Sequence, residues 1–484
     1  MTLKTGDEYK ESVKSLKLEA HVMGKKSDNL PENPLVNPSM KAVAVTFDGA
    51  HSDNEEIRDL FRARSTVCQA EVNRFAHLHQ SSEDLVKKVL MQRYCGHLTG
   101  CCFQRCVGLD AANAVFSTTY DVDQDCGTHY HKRFRDYWSK IQLEDLVVDG
   151  AMTDPKGDRG KRPKEQADPD LYLRVVKRKS DGVVVRGAKL HQTGMLNSHE
   201  IIVMPTLNMQ PGEEDWATCF AVPTNAKGIH YIYGRQVSDT RKLEQLKLDV
   251  GNPVYGGQEV MTVFDDVFVP DEHIFLNGEV KYSGKLVERF AAYHRQSYGG
   301  CKPGVGDVLI GAVALIAAMH GVDKASHVRD KIVEMIHLNE TLFACGIACS
   351  SMGYQTPAGN YEVDMLLANV CKLNVTRFPY EIARLATDVA GGLLGTLPSA
   401  KDLDDPVTAP YIKKYLATTE GVAVVDRFKV LRLIENLVAG AGAVAYLIES
   451  MHGAGSPMAQ RIMISRQADL DGKIQKVKQL LDIN

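Results

Sequence analysis

Cys102-Phe103-Gln104-Arg105-Cys106 sets two thiols four residues apart, a spacing that on a helix puts them on one face about one turn from each other, close enough to bind two irons of one cluster. Alone, such a pair reads as readily as inert core, because cysteine is among the residue types most often buried. Cys345-Gly346-Ile347-Ala348-Cys349 has the same spacing inside an apolar stretch with no histidine close in sequence, and it reads as core. The first pair differs in having a complement. Tyr293-His294-Arg295-Gln296-Ser297-Tyr298-Gly299-Gly300-Cys301-Lys302 offers an imidazole and a thiol among polar side chains, so four ligands in two segments can close a cluster. Replacing one thiolate by a neutral imidazole lowers the negative charge on such a cluster, raises its potential and leaves an iron more open to act as a Lewis acid. The Gly299-Gly300 pair is expected to break any helix here and let the backbone approach a bulky ligand.

Two further segments have the composition of a cofactor clasp. Asp154-Pro155-Lys156-Gly157-Asp158-Arg159 combines carboxylates, turn residues and a fixed cation, and it reads either as a solvated loop or as a clasp for a polar cofactor. His191-Gln192-Thr193-Gly194, just after an expected strand, supplies donors and acceptors beside a glycine, as the edge of a flavin requires. Gly440-Ala441-Gly442-Ala443-Val444-Ala445 formally matches a dinucleotide fingerprint. That fingerprint needs a preceding strand, whereas Leu431 to Val438 reads as helix, so close helix packing accounts better for these glycines.

The elements that must position these residues follow from periodicity. From about Leu60 to Leu146 apolar residues recur at helical spacing, as in Leu85, Val86, Val89 and Leu90, with Lys87 and Lys88 expected on the outward face. Pro155 to Asp170 is charged and turn-forming and reads as loop. Short β-branched and aromatic runs then follow: Leu171–Val176, a turn at Asp181-Gly182, Val183–Val185, Ile201–Met204, Ala217–Val222, His230–Tyr233 and Val260–Val269. Strands with no helices between them argue for an antiparallel barrel or sandwich. After Pro270 the pattern returns to helix, with Ser326 expected to cap one segment, Asn360 to cap the next, and Pro379 to kink or split the latter. Domains are expected over 1–148, 149–275 and 276–484.

Composition removes several function classes. The 57 basic and 61 acidic residues of this 484-residue chain are spread along it, without the basic stripe that nucleic-acid binding needs. The most apolar stretch, Val308 to Met319, is well short of a membrane span, and the N-terminus lacks the apolar core of a secretory signal. Eleven cysteines without such a signal are expected as free thiols or metal ligands in a reducing compartment, the cytoplasm.

The segments Cys102–Cys106, Thr153–Gly160, His191–Gly194, His294–Lys302, Gly256-Gly257-Gln258-Glu259 and Glu449-Ser450-Met451-His452-Gly453-Ala454-Gly455-Ser456-Pro457 together resemble the 4-hydroxybutyryl-CoA dehydratase family, over nearly the whole chain. The resemblance implies an α+β, acyl-CoA dehydrogenase-like fold with a helical N-terminal domain, an antiparallel β-barrel middle domain and a helical-bundle C-terminal domain, assembled as a homotetramer. Phe264 to Pro270 looks like the end of that barrel. It also implies FAD and a 4Fe-4S cluster, with Cys102, Cys106, His294 and Cys301 as cluster ligands. Thr153, Asp154, Lys156, Gly157, Asp158, Arg159, His191, Gln192 and Thr193 would contact the flavin, joined by Gly391 and Gly392 from a neighbouring subunit. His294, Glu449, Glu259, Tyr298 and Lys302 would surround an acyl-CoA substrate, and the activity would be a radical dehydration to crotonyl-CoA with vinylacetyl-CoA isomerisation beside it. Cys101, next to the first ligand, is expected to be a spare buried thiol, and Lys161, Arg162 and Lys164 are candidates for the CoA phosphates. Two other readings stand beside this one: a reduced-flavin aromatic hydroxylase of the same fold, which lacks the cluster cysteines, and a non-catalytic iron-sulfur redox protein.

Overall fold

The computed structural model describes residues 3–244 and 247–484. Helices precede and follow a β-rich middle, in the order the periodicity predicts. Five helices matter for the site: α1, Ser82–Thr99; α2, Cys106–Cys126; α3, Val280–Met319; α4, Ser326–Ser351; and α5, Met365–Val375. Ser81 starts α1 by accepting the Asp84 N–H, and Gly100, at φ 60°, ends it. Asp364 caps α5 through the Leu367 N–H. Asn360, expected to cap a helix, instead precedes the short strand Tyr361–Glu362, and the helical pattern that follows is split just before Pro379, as its fixed φ and missing N–H favour.

Among the described residues the strands of the middle region form two large sheets rather than one closed barrel, and two further two-stranded sheets lie outside them. Six lie in the order Lys25–Ser27, Ala20–Val22, Ile229–Gly234, Glu259–Pro270, Gly182–Thr193, Arg174–Lys179, and four in the order Ile274–Asn277, Thr218–Pro223, Glu200–Val203, Val148–Ala151. Two pairings, Ala20–Val22 with Ile229–Gly234 and Val148–Ala151 with Glu200–Val203, are parallel, so the arrangement is not purely antiparallel either. The strands missed from sequence are short, and one hairpin, 20–27, enters the sheet from the N-terminal domain, 1–148, expected to be helical. A continuous apolar core joins the sheets to α2 and the first half of α3, and a second core fills the C-terminal helices around the second half of α3.

Three expectations are overturned at the centre of the molecule. Gly299-Gly300 does not break a helix: α3 runs through both glycines and through Pro303 for 40 residues. A Cβ on Gly300 would come within 2.5 Å of the Val89 carbonyl of α1, and one on Gly299 within 2.5 Å of Gly346 Cα of α4. The missing side chains thus let three helices cross at backbone contact, and that packing outweighs the roughly 1 kcal/mol that each glycine costs a helix interior. Cys102 and Cys106 do not share a helical face, because Cys102 lies in the loop before α2 and Cys106 is its first residue. Lys88 does not face outward; it is fully buried and ion-paired to Asp110 of α2. A residue that helical phase alone would expose is turned inward by a partner more than twenty residues away.

Two helices, α3 and α4, are long and apolar enough to cross a membrane by length and composition; most of that stretch of α3 is buried inside this fold, where it carries the polar residues described next.

Candidate active site

The loop Cys101–Arg105 is pinned before it presents its thiols. Arg105 is buried, with its guanidinium 4.0 Å from the Phe47 ring centroid and 3.3 Å from Asp145. Gln104, at φ 61°, donates to the Gly256 carbonyl at 2.9 Å and accepts from Asn197. Gly194, at φ 84°, sits so close that a Cβ there would meet Gln104 Cβ at 2.8 Å. The three motifs Cys102–Cys106, His191–Gly194 and Gly256–Glu259 therefore rest directly on one another.

Against this loop α3 lays His294, Tyr298, Cys301 and Lys302 along one face, at i, i+4 and i+7, i+8. A ring nitrogen of His294, the Cys106 sulfur and an Asp110 carboxylate oxygen lie within 4.8 Å of one another. Cys301 packs on the small apolar cluster that contains Cys106. Burial pushes the thiols of Cys102 and Cys106 well above the usual thiol range, helped for Cys102 by Glu449, then by Cys106 and Cys301, and for Cys106 by Asp110, then by Cys301. Burial also raises Cys301, to about 11, against the pull of Lys302. None of the cysteines is in a disulfide. Three converging thiols, Cys106 buried and Cys102 and Cys301 half-buried, that the protein alone does not ionise, beside an imidazole, suit a cationic inorganic centre, since coordination deprotonates a thiol outright. The residues fit an iron-sulfur cluster.

The Glu449 carboxylate joins this group from the C-terminal helices through Lys302. It follows a π-helical turn over Val444–Ile448, an irregularity that recurs at functional sites. Its Oε2 accepts from Lys302 at 3.0 Å, while its buried Oε1 has no hydrogen-bond partner. Lys302 also donates to the Ala445 carbonyl and stands 4.8 Å over the Tyr298 ring; Lys372 of α5 stands 4.8 Å from the same ring. Burial, then the nearby Glu449 carboxylate, lifts the Glu259 carboxyl well above the ordinary range, although Thr193 donates to it at 2.7 Å. Burial raises the Tyr298 phenol too, with Glu449 adding to it. All four cluster candidates and all five acid-base or positioning candidates read from sequence are thus in one place.

The expected flavin residues divide. Leu190 N–H donates to the Thr153 carbonyl at 2.8 Å, which brings the loop of Lys156 to the strand end of His191. The His191 imidazole is held below its usual range by burial, then by Lys156 and by His452 of the Glu449 segment, so these three charges lie near one another. Gln192 and Thr193 lead from there to Glu259. Asp154 is different: it is buried and fully engaged by Lys189 at 2.8 Å, Leu173 N–H and Thr206, which makes it a brace for the loop. Gly157, Asp158 and Arg159 are exposed in the same loop, where Asp158 N–H donates to Gln166. Gly391 and Gly392 lie elsewhere, on a cleft of about 600 Å³ that also involves Leu394, Glu435 and Val438.

Of the phosphate candidates, Arg162 is spent on Glu213, a fully buried carboxylate, and Lys164 donates to the Pro211 carbonyl. Cys101 is a buried thiol bonded to the Cys102 carbonyl. Cys349 is buried and bonded to the Gly346 carbonyl, as the core reading of that pair predicts, whereas Cys345 is half-buried. Asp110 and Lys372 went unnoticed in the sequence, and Lys88 was read only as an outward-facing charge. The one signal for Asp110 is its position four residues beyond Cys106.

Comparison with known proteins assigns the class and then the family. Residues 5–276 match the family model described as 4-hydroxyphenylacetate 3-hydroxylase N terminal, and 283–482 match its C-terminal counterpart. The oxygenase component of 4-hydroxyphenylacetate 3-monooxygenase, solved as a complex with FAD, shares this fold at TM-score 0.87 and 21% identity, over 99% of this chain and 98% of that one. The 4-hydroxybutyryl-CoA dehydratase/vinylacetyl-CoA-Delta-isomerase of Clostridium aminobutyricum is 54% identical over 99% of this chain and 100% of its own length. An oxygen-tolerant archaeal 4-hydroxybutyryl-CoA dehydratase from N. maritimus superposes at TM-score 0.98 and 52% identity, covering 100% of this chain and 96% of that one. This chain belongs to the 4-hydroxybutyryl-CoA dehydratase/vinylacetyl-CoA-Delta-isomerase family.

Proposed function

We propose that this protein dehydrates 4-hydroxybutyryl-CoA to crotonyl-CoA and isomerises vinylacetyl-CoA to the same product, as a cytoplasmic homotetramer carrying FAD and a 4Fe-4S cluster. The observation that carries this reading is the convergence of Cys102, Cys106, Cys301 and His294 beside the Glu449–Lys302 pair. Cys102, Cys106, Cys301 and His294 would hold the cluster, which supplies a Lewis acid for the departing hydroxyl. The loop of Lys156, the strand end at His191 to Thr193, and Gly391 and Gly392 of a neighbouring subunit would hold the FAD, which supplies a reversible one-electron oxidant.

The chain's own residues supply the proton chemistry. The hydroxyl sits on the γ carbon and the β hydrogen is not acidic, so a simple α,β elimination does not deliver the product. Glu449 keeps one oxygen on Lys302 and leaves the other free to take a proton from substrate. Glu259, whose carboxyl burial and then Glu449 lift well above the ordinary range, is the complementary acid. His294, taken up as a cluster ligand, meets Tyr298 edge-on, and Tyr298 and Lys302 orient the leaving oxygen. A reduced-flavin hydroxylase of this fold would leave three converging thiols without a task.

Anaerobically purified enzyme mixed with 4-hydroxybutyryl-CoA should form crotonyl-CoA, and vinylacetyl-CoA should yield the same product. Failure on both thioesters by protein with its cofactors bound, or hydroxylation of a phenol on addition of reduced flavin, would overturn the assignment.

A further inference from the structure

Asp110 takes no part in the chemistry above, yet it is the best-connected side chain beside it. Its carboxylate is fully buried. Oδ2 accepts from the Ser297 hydroxyl at 2.9 Å and is 2.8 Å from His294 Nδ1. Oδ1 accepts from Lys88 at 2.5 Å. Lys88, also fully buried, spends its other hydrogens on Gln296 Oε1 at 2.8 Å and the Tyr293 carbonyl at 3.2 Å, both on α3. A lysine of α1 and an aspartate of α2 thereby clamp the turn of α3 that carries His294.

We infer that Lys88 and Asp110 are positioning residues for the cluster, fixing His294 with its proton on Nδ1 and its Nε2 directed to the metal. Three observations support this. A carboxylate can only accept at Nδ1, so the ring that faces it carries its proton there, and Nε2 is left as the electron-pair donor. The ring cannot swivel, because it stacks on Phe290 at 5.5 Å between centroids and meets Tyr298 edge-on at 5.1 Å. Both Asp110 oxygens are already engaged by Lys88, Ser297 and His294, so Asp110 braces a ligand rather than being one, although it lies within 4.8 Å of the Cys106 sulfur. A carboxylate behind a metal-bound imidazole also raises its basicity and tightens the metal.

The inference rests on the proposed cluster, and its test separates the two. Enzyme grown with histidine labelled with nitrogen-15 at Nδ1 or at Nε2, reduced, and examined by electron-nuclear double resonance should show the strong metal coupling from Nε2. Coupling from Nδ1 would overturn the inference and leave the cluster reading intact; protein without iron would overturn both. In parallel, Asp110→Asn should release iron to a chelator about 10- to 100-fold faster than the unaltered enzyme, the usual cost of losing such a partner, while its flavin content stays unchanged. Because that variant strands the Lys88 ammonium, the pair Lys88→Met with Asp110→Asn, which buries no lone charge, is measured beside it. Iron release at the unaltered rate in whichever of these folds would refute the positioning role.

Discussion

Gly300→Ala should destabilise the enzyme and loosen its iron site, whereas the same substitution at Gly311, eleven residues along the same helix, should stabilise it. At Gly300 a new Cβ would stand 2.5 Å from the Val89 carbonyl and 2.9 Å from Gln92 Cβ, against an ordinary van der Waals contact of 3.4 Å or more. α1 must then retreat from α3 by about 1 Å, and overpacking of this kind costs about 1–3 kcal/mol. Alanine's helix propensity returns roughly 1 kcal/mol, leaving a net loss of up to about 2 kcal/mol. The retreat also pulls Gln92 from Ser297, now 3.0 Å away, and Lys88 from Gln296 and the Tyr293 carbonyl, so the turn bearing His294 loses its support. At Gly311 a Cβ meets nothing within 4 Å, so only the backbone gain of about 0.4–1 kcal/mol remains. Denaturant unfolding of the three proteins, with iron per chain measured after desalting, reads both effects. If Gly300→Ala were as stable as Gly311→Ala and kept its iron, the account of helices crossing at backbone contact would be wrong.

Other outcomes follow from single residues. Burial, with a small addition from Glu144, lifts the Glu200 carboxyl from 4.5 to about 7; the folded chain then holds more protons than the unfolded one between those values, so stability falls as pH rises through the interval, by about 3 kcal/mol in all. Glu200→Gln should therefore match the parent near pH 4 and exceed it at pH 8, and an unfolding difference that does not change with pH would contradict this. Arg162→Gln should cost about 1–3 kcal/mol by stranding the buried Glu213, yet leave KM for the CoA thioester unchanged; a raised KM would return Arg162 to the phosphates. Glu449→Gln should lower kcat by about 10²- to 10⁴-fold with cofactors retained, and near-normal turnover would remove Glu449 from the proton path.

Much of the site was legible in the sequence because its ligands come in two compact segments with distinctive chemistry: Cys102–Cys106 and His294–Lys302 each announce themselves, and α3 and the α2 start bring them together. The long alternating strands were legible for the same local reason. What escaped depends on contacts between distant segments. Glycines at 299 and 300 look like a break until α1 and α4 are laid against them, and Lys88 looks solvated until Asp110 is placed opposite. Whether strands close a barrel is set by pairings such as that of 20–22 with 229–234, across some two hundred residues, on which the local pattern is silent. The ion pair of Arg162 escaped because its partner, Glu213, lies fifty-one residues on.

Composition measured on freshly purified, oxygen-free enzyme tests the central claim most directly: iron, acid-labile sulfide and flavin per chain, with the absorption spectrum. The account predicts brown protein with four irons, four sulfides and one FAD per chain, and loss of the iron when Cys102 or Cys301 is changed to Ser. Yellow or colourless protein that never holds iron, with 4-hydroxybutyryl-CoA turned over regardless, would contradict it.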